Sequence, residues 1–118
     1  MISSPLVNQS LELSIKVVKL YEYLCRQRKE FVMSKQILRS ATSIGANIHE
    51  ANFAVSRADF INKMQIALKE TAETEYWLIL LEATGYNFEN HKNLQKLCQS
   101  LKRLLISTLN TSKQMKSE

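Results

Sequence analysis

From Leu6 to Thr84 the chain meets a single glycine, Gly45, and no proline. A fold of strands and tight turns would need many more positions of special backbone geometry over that length, so long helices are expected. Around Gly45, apolar or very small residues recur at Leu38, Ala41, Gly45, Ile48 and Ala51/Asn52. This three-four spacing marks one face of a helix. A glycine inside a helix costs about 1 kcal/mol against alanine. Close approach of a neighbouring helix is the expected compensation, and the third helix is the expected neighbour.

The remaining helices follow from periodicity and end signals. Ser4-Pro5 reads as an N-cap followed by proline at the first helical position, so helix one covers residues 5–29, starting there or nearer Asn8. It carries two apolar stripes, Leu13/Val17/Leu20/Leu24 and Leu11/Ile15/Val18/Cys25, with Tyr21 at the boundary. A rim helix of a monomeric bundle needs one stripe; two imply a partner surface and a homo-oligomer. Helix two is expected over 34–54 with Ser34 as N-cap. Helix three is expected over 57–84, opened by Ser56-Arg57-Ala58-Asp59 and closed at Gly85. Phe60, Met64, Ala67, Thr71, Thr74, Leu78 and Leu81 trace its core face, with Ile61, Leu68, Ala72 and Ile79 on an adjacent one. Helix four is expected over 89–111, with Leu94, Leu97, Cys98, Leu101, Leu104/Leu105 and Leu109 on its apolar side, followed by a fraying polar tail over 112–118. Short loops make sequential helices antiparallel, giving one all-α domain, an up-down-up-down four-helix bundle.

The 118 residues suffice to bury a core without a staple. Cys25 and Cys98 lie far apart, as in a reduced cytosolic protein rather than a disulfide scaffold. The N-terminus lacks the order of a signal peptide, and no apolar run approaches a membrane span. The expectation is a cytoplasmic chain with no membrane partner.

Catalytic and metal-binding patterns are weak. A di-iron bundle needs Glu-x-x-His on two helices, and this sequence has none, so no metal and no cofactor are expected. The cysteines sit on apolar faces, where a thiol is a small hydrophobe. No histidine-and-acid arrangement serves the serines of helix two, and two glycines make no phosphate loop. The chain reads as no enzyme and has no catalytic residue to assign.

Charge is more informative. The net +5 divides as +2 over residues 1–33, +2 over 34–57, −3 over 58–88 and +4 over 89–118. Such alternation suits anionic partners or complementary packing between subunits, and equally a solvated surface. The candidate nucleic-acid contacts are Lys16, Lys19, Arg26, Arg28, Lys29 and Lys35, with Lys92, Lys96, Lys102 and Arg103 on helix four. Tyr76-Trp77 with Tyr21, Tyr23 and Tyr86 reads as core or oligomer interface before it reads as a stacking platform. A second candidate group is a polar cluster: Arg39, Ser43, Asn47 and Glu50 on helix two, Glu70 and Glu73 on helix three. There Arg39 is expected to pair with a carboxylate and Asn47 to bond across helices, fixing register; a polar pocket or partner-binding seam is the alternative.

The run Gln36-Ile37-Leu38-Arg39-Ser40-Ala41-Thr42-Ser43-Ile44-Gly45-Ala46-Asn47-Ile48-His49-Glu50-Ala51, then Asp59-Phe60-Ile61 and Ile66 to Leu78, resembles the bacterial four-helix bundle proteins encoded in intervening sequences of 23S ribosomal RNA genes, also labelled S23 ribosomal protein. The likeness spans nearly the whole chain and is most specific in the middle two helices; His49-Glu50 stands where the family often has alanine before the acid. The resemblance implies a cytosolic bundle assembling into a ring, a pentamer. It also implies kinship with the accessory protein of diversity-generating retroelements, a basic ring that binds a reverse transcriptase and nucleic acid. The ribosomal label reflects gene location. The family carries no established catalytic residues. The sequence-level expectation is thus a homo-oligomer binding RNA, DNA or a nucleic-acid-handling protein, or else a purely structural or protein-interaction module without nucleic-acid affinity.

Overall fold

A computed structural model describes residues 4–116, with side chains as far as Gln114. Four helices account for almost all of it: α1 (Pro5–Arg26), α2 (Met33–Ala51), α3 (Arg57–Ala83) and α4 (His91–Lys116). No strand occurs among the described residues. Contacts between neighbours run in opposite order along the chain. Ser14 faces Ala41 while Cys25 faces Ser34; Ser40 faces Thr74 while Glu50 faces Lys63; Glu75 faces Lys102 while Glu82 faces His91. The helices therefore alternate in direction, and α4 returns to pack on α1, giving a rod of 52 × 22 × 22 Å.

The core runs the length of the rod. Leu13, Val17 and Leu24 of α1, Ile37, Ile44 and Ile48 of α2, Leu78 and Leu81 of α3, and Leu94, Leu101 and Leu105 of α4 are essentially inaccessible. Each such side chain contributes about 1.5–3 kcal/mol by leaving water. Ile61, Met64, Ala67, Glu70, Thr71 and Thr74 complete the buried face of α3; Ile61, expected on the adjacent face, is buried where Phe60, expected in the core, is only half-buried. Of the second stripe of α1, Leu11, Ile15 and Val18 are exposed at 58%, 49% and 41%, whereas Cys25 is half-buried against Ser34.

Local chemistry explains the helix ends. Ser4 Oγ accepts from Val7 N–H at 3.2 Å, and Ser56 Oγ accepts from Asp59 N–H at 3.0 Å, so two of the three expected serine caps form. Asp59 in turn accepts from Val55 N–H. At Gly85 (φ +90°) the chain makes a paired terminator, Gly85 N–H to Glu82 O and Tyr86 N–H to Leu81 O.

Other ends differ from expectation. Helix α1 stops at Arg26 rather than residue 29, because Glu30 N–H folds back to Leu24 O and Lys29 enters the left-handed region at φ +54°. That turn delivers the buried Glu30 carboxylate to the start of α2, where it accepts from Val32, Met33 and Ser34 N–H. Ser34 is therefore inside the helix, donating its hydroxyl to Glu30 O at 2.8 Å, and Glu30 performs the capping assigned to it. Helix α2 ends at Ala51 rather than 54, since residues 52–54 tighten into i→i−3 bonds. Helix α3 ends at Ala83, one residue early. Helix α4 starts at His91 rather than 89 and continues through the expected fraying tail to Lys116, there being no glycine or proline to stop it; residues 117–118 lie outside the described residues.

Gly45 has a different neighbour from the one expected. A Cβ there would stand 3.3 Å from Ser14 Oγ and 3.7 Å from the Ser10 carbonyl, both on α1. The small-residue face admits α1, and the α2–α3 seam is filled by Ser40, Thr71 and Thr74 instead.

Candidate functional site

Two groups of polar residues stand out, on opposite seams of the bundle. On the α2–α3 seam, Arg39 Nη1 lies 3.4 Å from both Glu70 carboxylate oxygens and Nη2 donates to Glu73. Glu73 also accepts from the Trp77 indole N–H at 3.0 Å. Glu70 is buried, whereas half of the Arg39 side chain is exposed. The hydrogen bond from Arg39, then that from Trp77, holds the Glu73 carboxyl below the usual carboxylate range, and the bond to Glu73 raises Arg39 above its ordinary value. Beneath them Ser40 and Thr74 hydroxyls meet at 2.9 Å in the core.

The other candidates for this cluster are not brought into it. Asn47 donates to Ser43 O and Ser43 Oγ on its own helix, at 2.9 and 3.2 Å, so it sets no interhelical register. Its short amide spans one helical turn more readily than the gap to a neighbour. Glu50 sits a further turn away and pairs with Lys63 at 3.1 Å.

The basic candidates form two groups at one end of the rod and a scattered third along α4. Arg26, Arg28, Lys29 and Lys35 are exposed around the α1–α2 turn. Arg28 reaches the neighbouring α3–α4 loop, donating to Gly85 O at 3.3 Å and stacking 4.7 Å above the Tyr86 ring. Lys16 and Lys19 project from α1 toward the same loop. Lys16 is held by Glu12 and Asn93, while Lys19 makes no ion pair among the described residues. On α4, Lys92, Lys96 and Arg103 are exposed, whereas Lys102 is bound to Glu75 at 2.8 Å.

A cleft of about 370 Å³ opens between α1 and the α3–α4 loop, lined by Lys16, Lys19, Leu20, Tyr23, Asn87, Phe88, Glu89, Asn90 and Leu94. Phe88 is fixed there, edge-to-face on His91 with ring centroids 5.0 Å apart. His91 is buried, its Nε2 3.3 Å from Glu82 without hydrogen-bond geometry and its Nδ1 with no partner. Phe88 and its asparagine neighbours were not legible as site residues. The only signal was an aromatic between Asn87 and Asn90 in a connector, and the cleft exists only because that connector folds onto α1.

The aromatic residues do not assemble into one platform: Tyr76 packs edge-on against Trp77, Tyr86 lies beneath Arg28, and Tyr23 lines the cleft. Both cysteines are free, and burial pushes the Cys98 thiol up to about 12. Among the described residues no three metal-ligating side chains gather, and no helix is long and apolar enough to cross a membrane.

Known proteins place this scaffold. No curated protein is detectably similar to the chain. A crystal structure of a protein with unknown function from the S23 ribosomal protein family of Bacteroides thetaiotaomicron VPI-5482 is 53% identical, covers 88% of this chain and 97% of its own, and superposes with a TM-score of 0.85. The sequence model of the 23S rRNA-intervening sequence proteins matches residues 4–107. With the four helices and that match over most of its length, the chain belongs to the 23S rRNA-intervening sequence protein family.

Proposed function

We propose that this protein is a non-enzymatic homo-oligomer of the cytoplasm, a ring in the pentameric form, that binds nucleic acid or a nucleic-acid-handling protein through its basic surfaces. The observation that carries the reading is how the charges are used. Among the described residues nearly every acid is engaged by the fold: Glu30 and Asp59 at helix starts, Glu70 and Glu73 with Arg39, Glu50, Glu75 and Glu82 with partners on neighbouring helices, Glu12 and Glu22 with cations one turn on. Lys19, Lys29, Lys35, Lys92, Lys96 and Arg103 meet no acidic side chain among the described residues. With its acids held in ion pairs and helix caps, a chain of net charge +5 leaves these cations as the uncompensated charge of its surface.

Self-association is supported by Leu11, Ile15 and Val18, an exposed apolar row beside a core-facing one on the same helix. Light scattering on the protein and on Ile15→Glu tests this part; the parent runs as an oligomer and the variant as a protomer. Filter binding of RNA and duplex DNA across a salt series tests the other. Affinity should fall steeply with salt. Absence of binding at low salt would leave a protein-interaction module.

A further inference from the structure

We propose that the cleft between α1 and the α3–α4 loop holds one unpaired nucleotide of a bound single strand, its base against Phe88 and Tyr23 and its phosphate at Lys19. The proposal rests on the nucleic-acid reading above and gives it a site. The cleft volume of about 370 Å³ lies within the range of small-ligand pockets. Its walls combine what an unpaired nucleotide needs: two aromatic side chains, a lysine with no acidic partner, and the amides of Asn87 and Asn90, which have no hydrogen-bond partner among the described residues. An amide presents both a donor and an acceptor to a base edge. Phe88 is half-buried and braced by His91, so a stacked base meets a ring already in place.

Two features select a single nucleotide of a strand over a length of duplex. Bases within a duplex bury their faces against one another and offer none to Phe88. Glu89, the described acid with no partner in the fold, also lines the cleft and would repel a second phosphate there. Adjacent phosphates have the exposed Lys92 at the start of α4 and Lys29 in the α1–α2 turn, at the same end of the rod.

The test is fluorescence anisotropy with a labelled 12-nucleotide oligouridine, a duplex of equal length, and free uridine monophosphate as competitor. It uses the full chain, Phe88→Ala, Lys19→Glu and, as a charge-matched control away from the cleft, Lys69→Glu. Circular dichroism checks that each variant keeps its helices. The expected result is tighter binding of the single strand than of the duplex, with strand affinity at least fivefold weaker in Phe88→Ala and duplex affinity unchanged, as for loss of one stacked base. Lys19→Glu should weaken strand binding more than Lys69→Glu does; it lies on an exposed position of α1 and serves if Phe88→Ala fails to fold. Cleft variants indistinguishable from Lys69→Glu overturn the site and leave the general reading standing. No binding of any nucleic acid by the parent overturns both. Preference for the duplex, or displacement of the strand by uridine monophosphate at micromolar concentration, also overturns the proposal.

Discussion

Across the α2–α3 seam, buried hydroxyls of Ser40 and Thr74 touch at 2.9 Å, small side chains let the helices close, and Arg39 lies over the outside between two carboxylates. Across the α1–α4 seam, Lys16 reaches Asn93 from a flexible stem, and beside them the helices and the α3–α4 loop leave a cleft of about 370 Å³. One seam satisfies its polar groups internally; the other leaves Lys19 without an acidic partner and the Asn87 and Asn90 amides without a hydrogen bond among the described residues. The contrast separates residues that keep the bundle in register from residues able to meet a ligand.

Core truncations should break the comparison most visibly. Leu78→Ala, fully buried on α3, should cost about 3–5 kcal/mol in urea unfolding at fixed protomer concentration. Leu20→Ala, which already lines the cleft, should cost nearer 2 kcal/mol because the lost volume joins an existing opening. Equal costs would mean that the α1–α4 seam is as closed as its counterpart.

A third seam, α1–α2, supplies the next test. Gly45→Leu must shift the Ser14 side chain and turn its branch into the groove lined by Ser10, Leu11, Ala46 and His49, and should cost about 1–3 kcal/mol. Gly45→Ala meets only the rotatable Ser14 hydroxyl at 3.3 Å and gains helix propensity, so it should stay within about 1 kcal/mol of the parent. A thermal melt of Gly45→Leu within a degree of the parent would refute the close approach.

How far these contacts were legible in the sequence follows from their range. Ser4, Ser56 and Gly85 act on backbone groups within four residues, and their signals are local. Arg39 and the Glu70/Glu73 pair were legible because three-four spacing gives each a face, and one long side chain tolerates error in register. The start of α2 was not legible, because Glu30 caps it only once Lys29 has turned left-handed. The small face at Gly45 was visible while its neighbour was not, since periodicity specifies a face and not what packs on it. The cleft depends on residues 87–90 folding onto residues 16–23, a juxtaposition no helical pattern encodes.

The smallest expected effect concerns pH. The Glu73 carboxyl is lowered by Arg39 and Trp77, so its contribution is complete above the usual carboxylate range and is lost as pH falls through the lowered value. The pair is partly exposed, which limits it to below about 1 kcal/mol. Unfolding of Glu73→Gln followed from pH 6 to pH 3 should show a shallower acid-side slope than the parent; an unchanged slope would assign the acid sensitivity of the seam elsewhere.

The division between a closed seam and a receptive one is tested most directly by hydrogen–deuterium exchange of the protein with and without a saturating single-stranded oligouridine. The account predicts slowed exchange over residues 16–23 and 87–94, with the α2–α3 seam, residues 37–44 and 67–78, unchanged. Protection centred on the α2–α3 seam, with none over the cleft segments, would contradict it.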